Sequence, residues 1–163
     1  MKQNEEITIR NTIRSGDLGY LVYLHGILYA KEYGFDSSFE TYVAIPLAEF
    51  IRSHTERERI WIVERRGEIV GSVAIVKVSD RQAQLRWLLL SPELRGRGIG
   101  KRLMEEAVSF SRECGYSSLF LWTVDLLQDA ARLYTLLGFH LTEEKKHRVW
   151  GVDLTEQRYD LKL

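Results

Sequence analysis

Arg95-Gly96-Arg97-Gly98-Ile99-Gly100-Lys101-Arg102 sets three glycines at alternate positions between two strongly patterned segments. Upstream, Gln82 to Leu90 reads as a strand that Ser91-Pro92 ends, because proline cannot donate into a sheet ladder. Downstream, Ile99, Leu103, Ala107 and Phe110 recur at helical spacing, which predicts a helix from about Gly98 to Glu113, stopped by Gly115. Glycines between a strand and a helix let the backbone turn sharply and bring N–H groups close to a ligand. The helix start adds unpaired donors and a positive dipole end. Arg95, Arg97, Lys101 and Arg102 add cations. These are the makings of a pyrophosphate cradle, although a purely structural turn would use the same glycines.

Spacing excludes two other phosphate loops. A Walker loop needs Gly-Lys followed by Ser or Thr for magnesium, whereas Arg102 follows Lys101. A dinucleotide fold needs G-x-G-x-x-G, whereas this chain has G-x-G-x-G downstream of hairpin strands.

Outward from the turn, apolar periodicity predicts the remaining elements. A strand is expected over Ile7 to Ile13, a helix over Leu18 to Tyr33 closed by Gly34, and a second helix over Ser37 to Ser53. Phe39, Val43, Leu47 and Phe50 share one face of that second helix, and Pro46 should bend it. Ile60 to Arg66 and Glu68 to Ser79 flank a hairpin turn at Gly67. After the glycine-rich helix come a strand over Ser118 to Val124, a short helix over Gln128 to Leu137 capped by Gly138, and strands over Phe139 to Lys145 and Gln157 to Leu163. The order is β-α-α-β-β-β-α-β-α-β-β. Hairpins give antiparallel pairs, and the unit from Gln82 to Val124 demands a right-handed parallel crossover. The expectation is one α/β (α+β) domain over residues 1–163, with a mixed, mostly antiparallel sheet and helices on both faces.

Composition narrows the function. With 23 basic and 23 acidic side chains the formal charge is zero, which argues against a nucleic-acid binder. No apolar run approaches the ~20 residues of a membrane span. The stretch Met1 to Glu6 is polar and lacks the apolar core of a secretory signal. Cys114, the only cysteine, cannot form an internal disulfide and fits a reducing, cytoplasmic setting. It continues the stripe of Ile99, Leu103, Ala107 and Phe110, so a buried structural thiol is expected rather than a nucleophile.

The same turn resembles the coenzyme signature of the GNAT acyl-CoA N-acyltransferases, Gln/Arg-x-x-Gly-x-Gly/Ala, with Arg95, Gly98 and Gly100 in register. Trp87 to Pro92 is similar to that family's fourth strand, and Ala130-Ala131-Arg132-Leu133-Tyr134 with Gly138-Phe139 to its later motif, A-x-x-L-Y-x-x-x-G-F. His25-Gly26, Tyr29, Glu32, Gly34 and Phe39-Glu40 resemble a subgroup often fused behind a MarR-type winged-helix repressor, as do Trp150-Gly151 and Glu156 to Tyr159. These 163 residues contain no winged-helix segment, so no fused regulatory role carries over.

The resemblance implies acetyl-CoA as cosubstrate and a primary amine, on a small molecule or a peptide, as acceptor, with no metal. It implies that backbone groups of Leu88, Leu89 and Leu90 pair with the pantetheine arm and that residues 95–102 hold the pyrophosphate. Tyr134 matches the family's general acid; it also lies on the apolar stripe Ala130, Leu133, Leu137, where a core tyrosine would sit. Many members carry Asn seven residues before that tyrosine, where this chain has Leu127. The fourth strand holds no carboxylate to deprotonate an amine. His25, Tyr29 and Glu32, spaced i, i+4, i+7, and Glu40 are therefore candidates for acceptor binding or a water-mediated base. His25 also fits a core stripe with Leu18 and Val22, and Glu32 and Glu40 fit ordinary helix-surface charges. A non-catalytic acyl-CoA-binding module is the alternative. The apolar first helix and Trp150 point to a homodimer interface, although a core-facing helix would look the same.

Overall fold

Arg66 and Gly67 both take left-handed φ values, 54° and 78°, the geometry of a two-residue hairpin turn. They set β2 (Arg59–Arg65) antiparallel on β3 (Glu68–Lys77), which in turn pairs antiparallel with β4 (Gln82–Leu90). The computed structural model, which describes residues 6–163, builds around these strands a seven-stranded sheet. The polar stretch before Glu6 lies outside the described residues.

The other elements are β1 (Ile7–Arg10), α1 (Asp17–Tyr33), α2 (Ser38–Ser53), α3 (Ile99–Glu113), β5 (Ser118–Val124), α4 (Gln128–Leu136), β6 (His140–Val149) and β7 (Val152–Lys162). The sheet runs β1-β2-β3-β4-β5-β7-β6, and only β4 and β5 are parallel. The element order and mixed sheet expected from the sequence are those observed. α2 runs through Pro46 without interruption.

Each face of the sheet carries its own core. Aliphatic side chains of α3 (Leu103, Met104, Ala107) and Tyr134 of α4 pack with Val73, Leu85 and Leu119. Leu21 and Leu24 of α1 and Phe39, Val43 and Leu47 of α2 pack on the other face with Ile62, Trp87 and Leu154. Arg10 anchors the start of α1: its guanidinium donates to both carboxylate oxygens of Asp17, at 2.7 and 2.8 Å, and to Glu64 at 2.7 Å.

Three expectations need correction. The first strand ends at Arg10, because β2 offers pairing partners only from Ile62 to Arg65. The last two strands are far longer than expected and form one hairpin, closed by Trp150 and Gly151 at φ 52° and 81°. β6 is an edge strand exposed along nearly its whole length and rich in charge, so it shows no apolar alternation to mark it. Cys114 caps α3 half-buried instead of sitting in the core.

Candidate active site

Trp87 has φ 52°, and there two residues of β4, Trp87 and Leu88, oppose the single Val73 of β3. This is a β-bulge, and the Ser72 hydroxyl holds it by donating to the Trp87 carbonyl at 2.7 Å. The bulge turns β4 away from β5. The parallel pairing covers only Gln82–Gln84 against Ser118–Phe120, and beyond it the strands splay into a V. From Leu85 onward, the side of β4 that faced β5 has no strand partner. Leu88, Leu89 and Leu90 lie along that open side, with Leu89 buried and its neighbours half-buried.

The glycine-rich turn lies at the mouth of the V. Gly96 and Gly98 take φ 74° and 80°, where an added Cβ would meet no other atom but would strain the backbone. The first bond of α3 runs from the Arg102 N–H to the Gly98 carbonyl at 3.0 Å, leaving the N–H groups of Ile99, Gly100 and Lys101 at the helix start without intrahelical partners. Gly100 has a packing role as well, since a Cβ there would stand 3.7 Å from Leu133 of α4. Arg97 is exposed. Lys101 and Arg102 are also exposed and reach Glu105 and Glu106 one turn on, at 3.8 and 3.0 Å.

Arg95 differs from these cations. Its guanidinium is bidentate to Glu32 at 2.8 and 3.1 Å, and its Nε donates to the Leu90 carbonyl at 3.1 Å. It straps the last turn of α1 to the end of β4. Glu32, grouped with His25 and Tyr29 by spacing, is paired with Arg95 at the end of β4 while its charge still acts on Tyr29. Glu40 is exposed, and its stem covers Gly26, where an added Cβ would come within 2.5 Å of it. Neither carboxylate lines the cavity described next.

Inside the V lies a cavity of about 110 Å³, bordered by both arms of the V, by α1 and α2, and by Trp150. It holds a few waters or a pair of reacting groups, not a whole coenzyme. His25 is fully buried at its wall. Its Nδ1 lies 2.7 Å from the Leu21 carbonyl, so Nδ1 carries the proton, and Nε2 is left with a lone pair and no partner. Burial pushes the imidazole pKa down to about 4, against a smaller opposing pull from that carbonyl, so the ring is neutral at pH 7. Tyr29 sits one turn on, its ring 6.3 Å from His25 and 4.6 Å from Phe39. Tyr134 enters from the far wall, with ring neighbours Tyr159 at 5.7 Å and Phe139 at 6.2 Å. Burial raises the phenol pKa of both tyrosines above the ordinary value, so both stay protonated. The buried Thr123 hydroxyl neighbours that of Tyr134 and, against burial, draws its pKa slightly down. Leu127 lines the same wall with an apolar side chain.

Sequence reasoning gave no site role to several residues of this wall. Arg86, Trp87, Tyr42, Trp150 and Glu156 all border the cavity. Alternation along Gln82 to Leu90 was the available signal for Arg86: a cation at the centre of an interior strand is conspicuous. Trp150, expected at an interface, is instead 9% exposed and packs within 5.1 Å of Phe35, Phe39 and Tyr42. Among the described residues, no group of three His, Cys, Asp or Glu side chains could hold a metal. No helix among them is long and apolar enough to cross a membrane.

This geometry matches known proteins in sequence and in shape. Residues 24–139 match the model of the acetyltransferase (GNAT) family. N-acetyltransferase 8 of Rattus norvegicus is 37% identical over 102 residues, which cover 58% of this chain and 46% of the rat protein. An uncharacterized N-acetyltransferase of Schizosaccharomyces pombe is 34% identical over 122 residues, 73% of this chain and 74% of the yeast protein. The chain thus spans about half the length of the rat relative. In fold, it superposes on a Salmonella typhimurium protein solved with its cofactor acetyl-CoA, with a TM-score of 0.71 at 18% identity, covering 96% of this chain and 93% of the other. The chain belongs to the acetyltransferase (GNAT) family.

Proposed function

We propose that this protein transfers the acetyl group of acetyl-CoA to a primary amine of a small molecule or peptide, by direct attack of the amine on the thioester. The observation that carries the reading is the V between β4 and β5, with free helix N–H groups at its mouth and His25 and Tyr134 in its walls. The residues present fit the coenzyme. The open side of Leu88 to Leu90 offers backbone pairing to the pantetheine arm. The turn from Gly96 to Lys101 offers donors and a dipole to the pyrophosphate, with Arg97, Lys101 and Arg102 as surrounding charge. In this reading Arg95 orders the turn through Glu32 and contributes field more than direct contact. Leu127 supplies no polar contact where many family members have Asn.

The amine nitrogen attacks the carbonyl carbon, the C–S bond breaks, and the departing sulfur takes the Tyr134 hydroxyl proton. The nitrogen gives up its proton through water, which returns one to the tyrosine. The free Nε2 of His25 accepts a hydrogen bond from the attacking amine or its water and orients the lone pair. Its low pKa makes it a positioning acceptor more than a strong base. Tyr29 continues that wall. A cytoplasmic site, supported by the lone Cys114, and a homodimer, supported by exposed Tyr20, Tyr23 and Ile27 on α1, complete the proposal.

Mass spectrometry after incubation with acetyl-CoA and a mixed pool of amines, polyamines, amino acids and peptides tests it. An acceptor gaining one acetyl group is the expected product. Coenzyme binding with no thiol release across the pool would instead mark a non-catalytic acyl-CoA-binding module, a reading that Leu127 favours.

A further inference from the structure

Arg86 projects from the middle of β4 into the cavity, half-buried, on the face covered by α1 and α2. Its guanidinium lies 4.9 Å from the ring centre of Trp87 and 6.0 Å from that of Tyr42. Among the described residues no carboxylate acts on it: burial lowers its pKa, and only Tyr42 pulls the other way. Glu156 borders the same cavity, but it lies 3.5 Å from His147 and acts on Tyr42, not on Arg86. A desolvated cation with only ring faces and a phenol for company is costly to keep unless something else completes it. Two neighbouring arginines are paired: Arg95, at the end of β4, has Glu32, and Arg158 of β7, which pairs with β5, has Asp160.

The rest of the wall around Arg86 is aromatic. Tyr42, Trp87 and Trp150 present rings beside it, with Phe35 and Phe39 behind. Such a surface favours a flat or bulky apolar group.

We propose that Arg86 is the carboxylate-recognition residue of the acceptor site, and that the acceptor is a free α-amino acid with a large apolar or aromatic side chain. The inference rests on the acetyl-transfer reading above and deepens it. The planar fork of Arg86 takes the carboxylate bidentately, the aromatic wall takes the side chain, and the α-amine is directed toward His25 and Tyr134. A peptide N-terminus has no carboxylate beside its amine and forfeits this contact.

The test measures thiol release from acetyl-CoA with L-phenylalanine, L-phenylalanine amide, phenethylamine and spermidine, alongside the melting temperature with each acceptor. The wild-type protein should prefer phenylalanine over its amide and over phenethylamine by at least about 10²-fold in kcat/KM, since a site built for a hydrogen-bonding group rejects analogues lacking it. Arg86→Gln should collapse that ratio toward one, and Arg86→Lys should restore part of it. A wild-type ratio near one, or an Arg86→Gln variant that loses activity on all four amines equally, overturns the assignment while acetyl transfer stands. No thiol release with any amine, but a melting-temperature rise with phenylalanine that Arg86→Gln lacks, overturns acetyl transfer and keeps the carboxylate site. No release and no carboxylate-dependent rise overturns both.

Discussion

The two ends of the V are made of different material. At its mouth, the candidate coenzyme site is mostly backbone: a bulge at Trp87, left-handed glycines at 96 and 98, and the N–H groups that start α3. Deeper in, the candidate acceptor site is side chains: a neutral buried His25, protonated tyrosines, an uncompensated Arg86 and an aromatic wall. A backbone site is generic, because every residue carries the same N–H and C=O groups, and it suits a coenzyme shared by a whole family. A side-chain site is particular. Charge, burial and ring faces there select one acceptor class, and few of those features would survive exchange of a single residue.

The largest expected effect breaks the comparison at the point where the two ends meet. Tyr134→Phe should lower kcat by about 10²–10⁴-fold, the usual worth of a positioned acid, while leaving acetyl-CoA affinity close to that of the wild type. Equal losses in kcat and coenzyme affinity would show Tyr134 to be part of the coenzyme floor instead.

His25 sharpens the side-chain end through stability. Its folded pKa, about 4, lies below the ordinary 6.5, so between those values the unfolded chain binds the extra proton. The contribution is complete above pH 6.5 and is lost as pH falls from there toward 4, by about 3 kcal/mol in all. Thermal melts from pH 7.5 to 4.5 should show this slope in the wild type, and His25→Asn should flatten it. An unchanged slope would mean that His25 is already solvated.

Gly98→Ala probes the backbone end. Placing a Cβ at φ 80° costs about 1–2 kcal/mol. If the turn relaxes to relieve that strain, coenzyme affinity should fall by roughly tenfold, with the acceptor KM little altered. Calorimetric titration with acetyl-CoA reads the first and steady-state kinetics the second. A change confined to the acceptor KM would erase the proposed division between the two ends.

The smallest effect falls on the strap that joins them. Glu32→Gln removes a partly exposed ion pair with Arg95 and should cost less than about 1 kcal/mol of stability by denaturant melts. Its effect on kcat should be far below that of Tyr134→Phe. A kcat loss as large as the tyrosine's would make Glu32 the missing base.

How much could be read in advance divides along the same line. The turn at 95–102 was legible because its glycines stand at alternate positions within a few residues, and close spacing is what a sequence displays. The place of Tyr134 on α4 was legible because a helical motif of fixed spacing surrounds it; its proposed role as an acid is for kinetics to decide. Helical spacing grouped Glu32 with His25 and Tyr29, but it lies in the last turn of α1, within reach of Arg95 and outside the cavity wall that the other two line. The β6–β7 hairpin was hidden by an exposed strand without alternation, and with it the place of Trp150.

The sequence by itself determined the element order, the parallel crossover from β4 to β5, the glycine-rich turn that opens α3 and the family. Each depends on periodicity, glycine and proline placement, or local spacing, and these act within a few residues. Only the tertiary structure decided where the Trp87 bulge falls, that Glu32 straps Arg95, and that Arg86 stands among Tyr42, Trp87 and Trp150 without a carboxylate. Those features depend on which distant side chains share a desolvated space. The Asp36 N–H that holds the Trp150 carbonyl at 2.9 Å shows the reason: it joins the α1–α2 loop to the β6–β7 turn, two stretches more than a hundred residues apart.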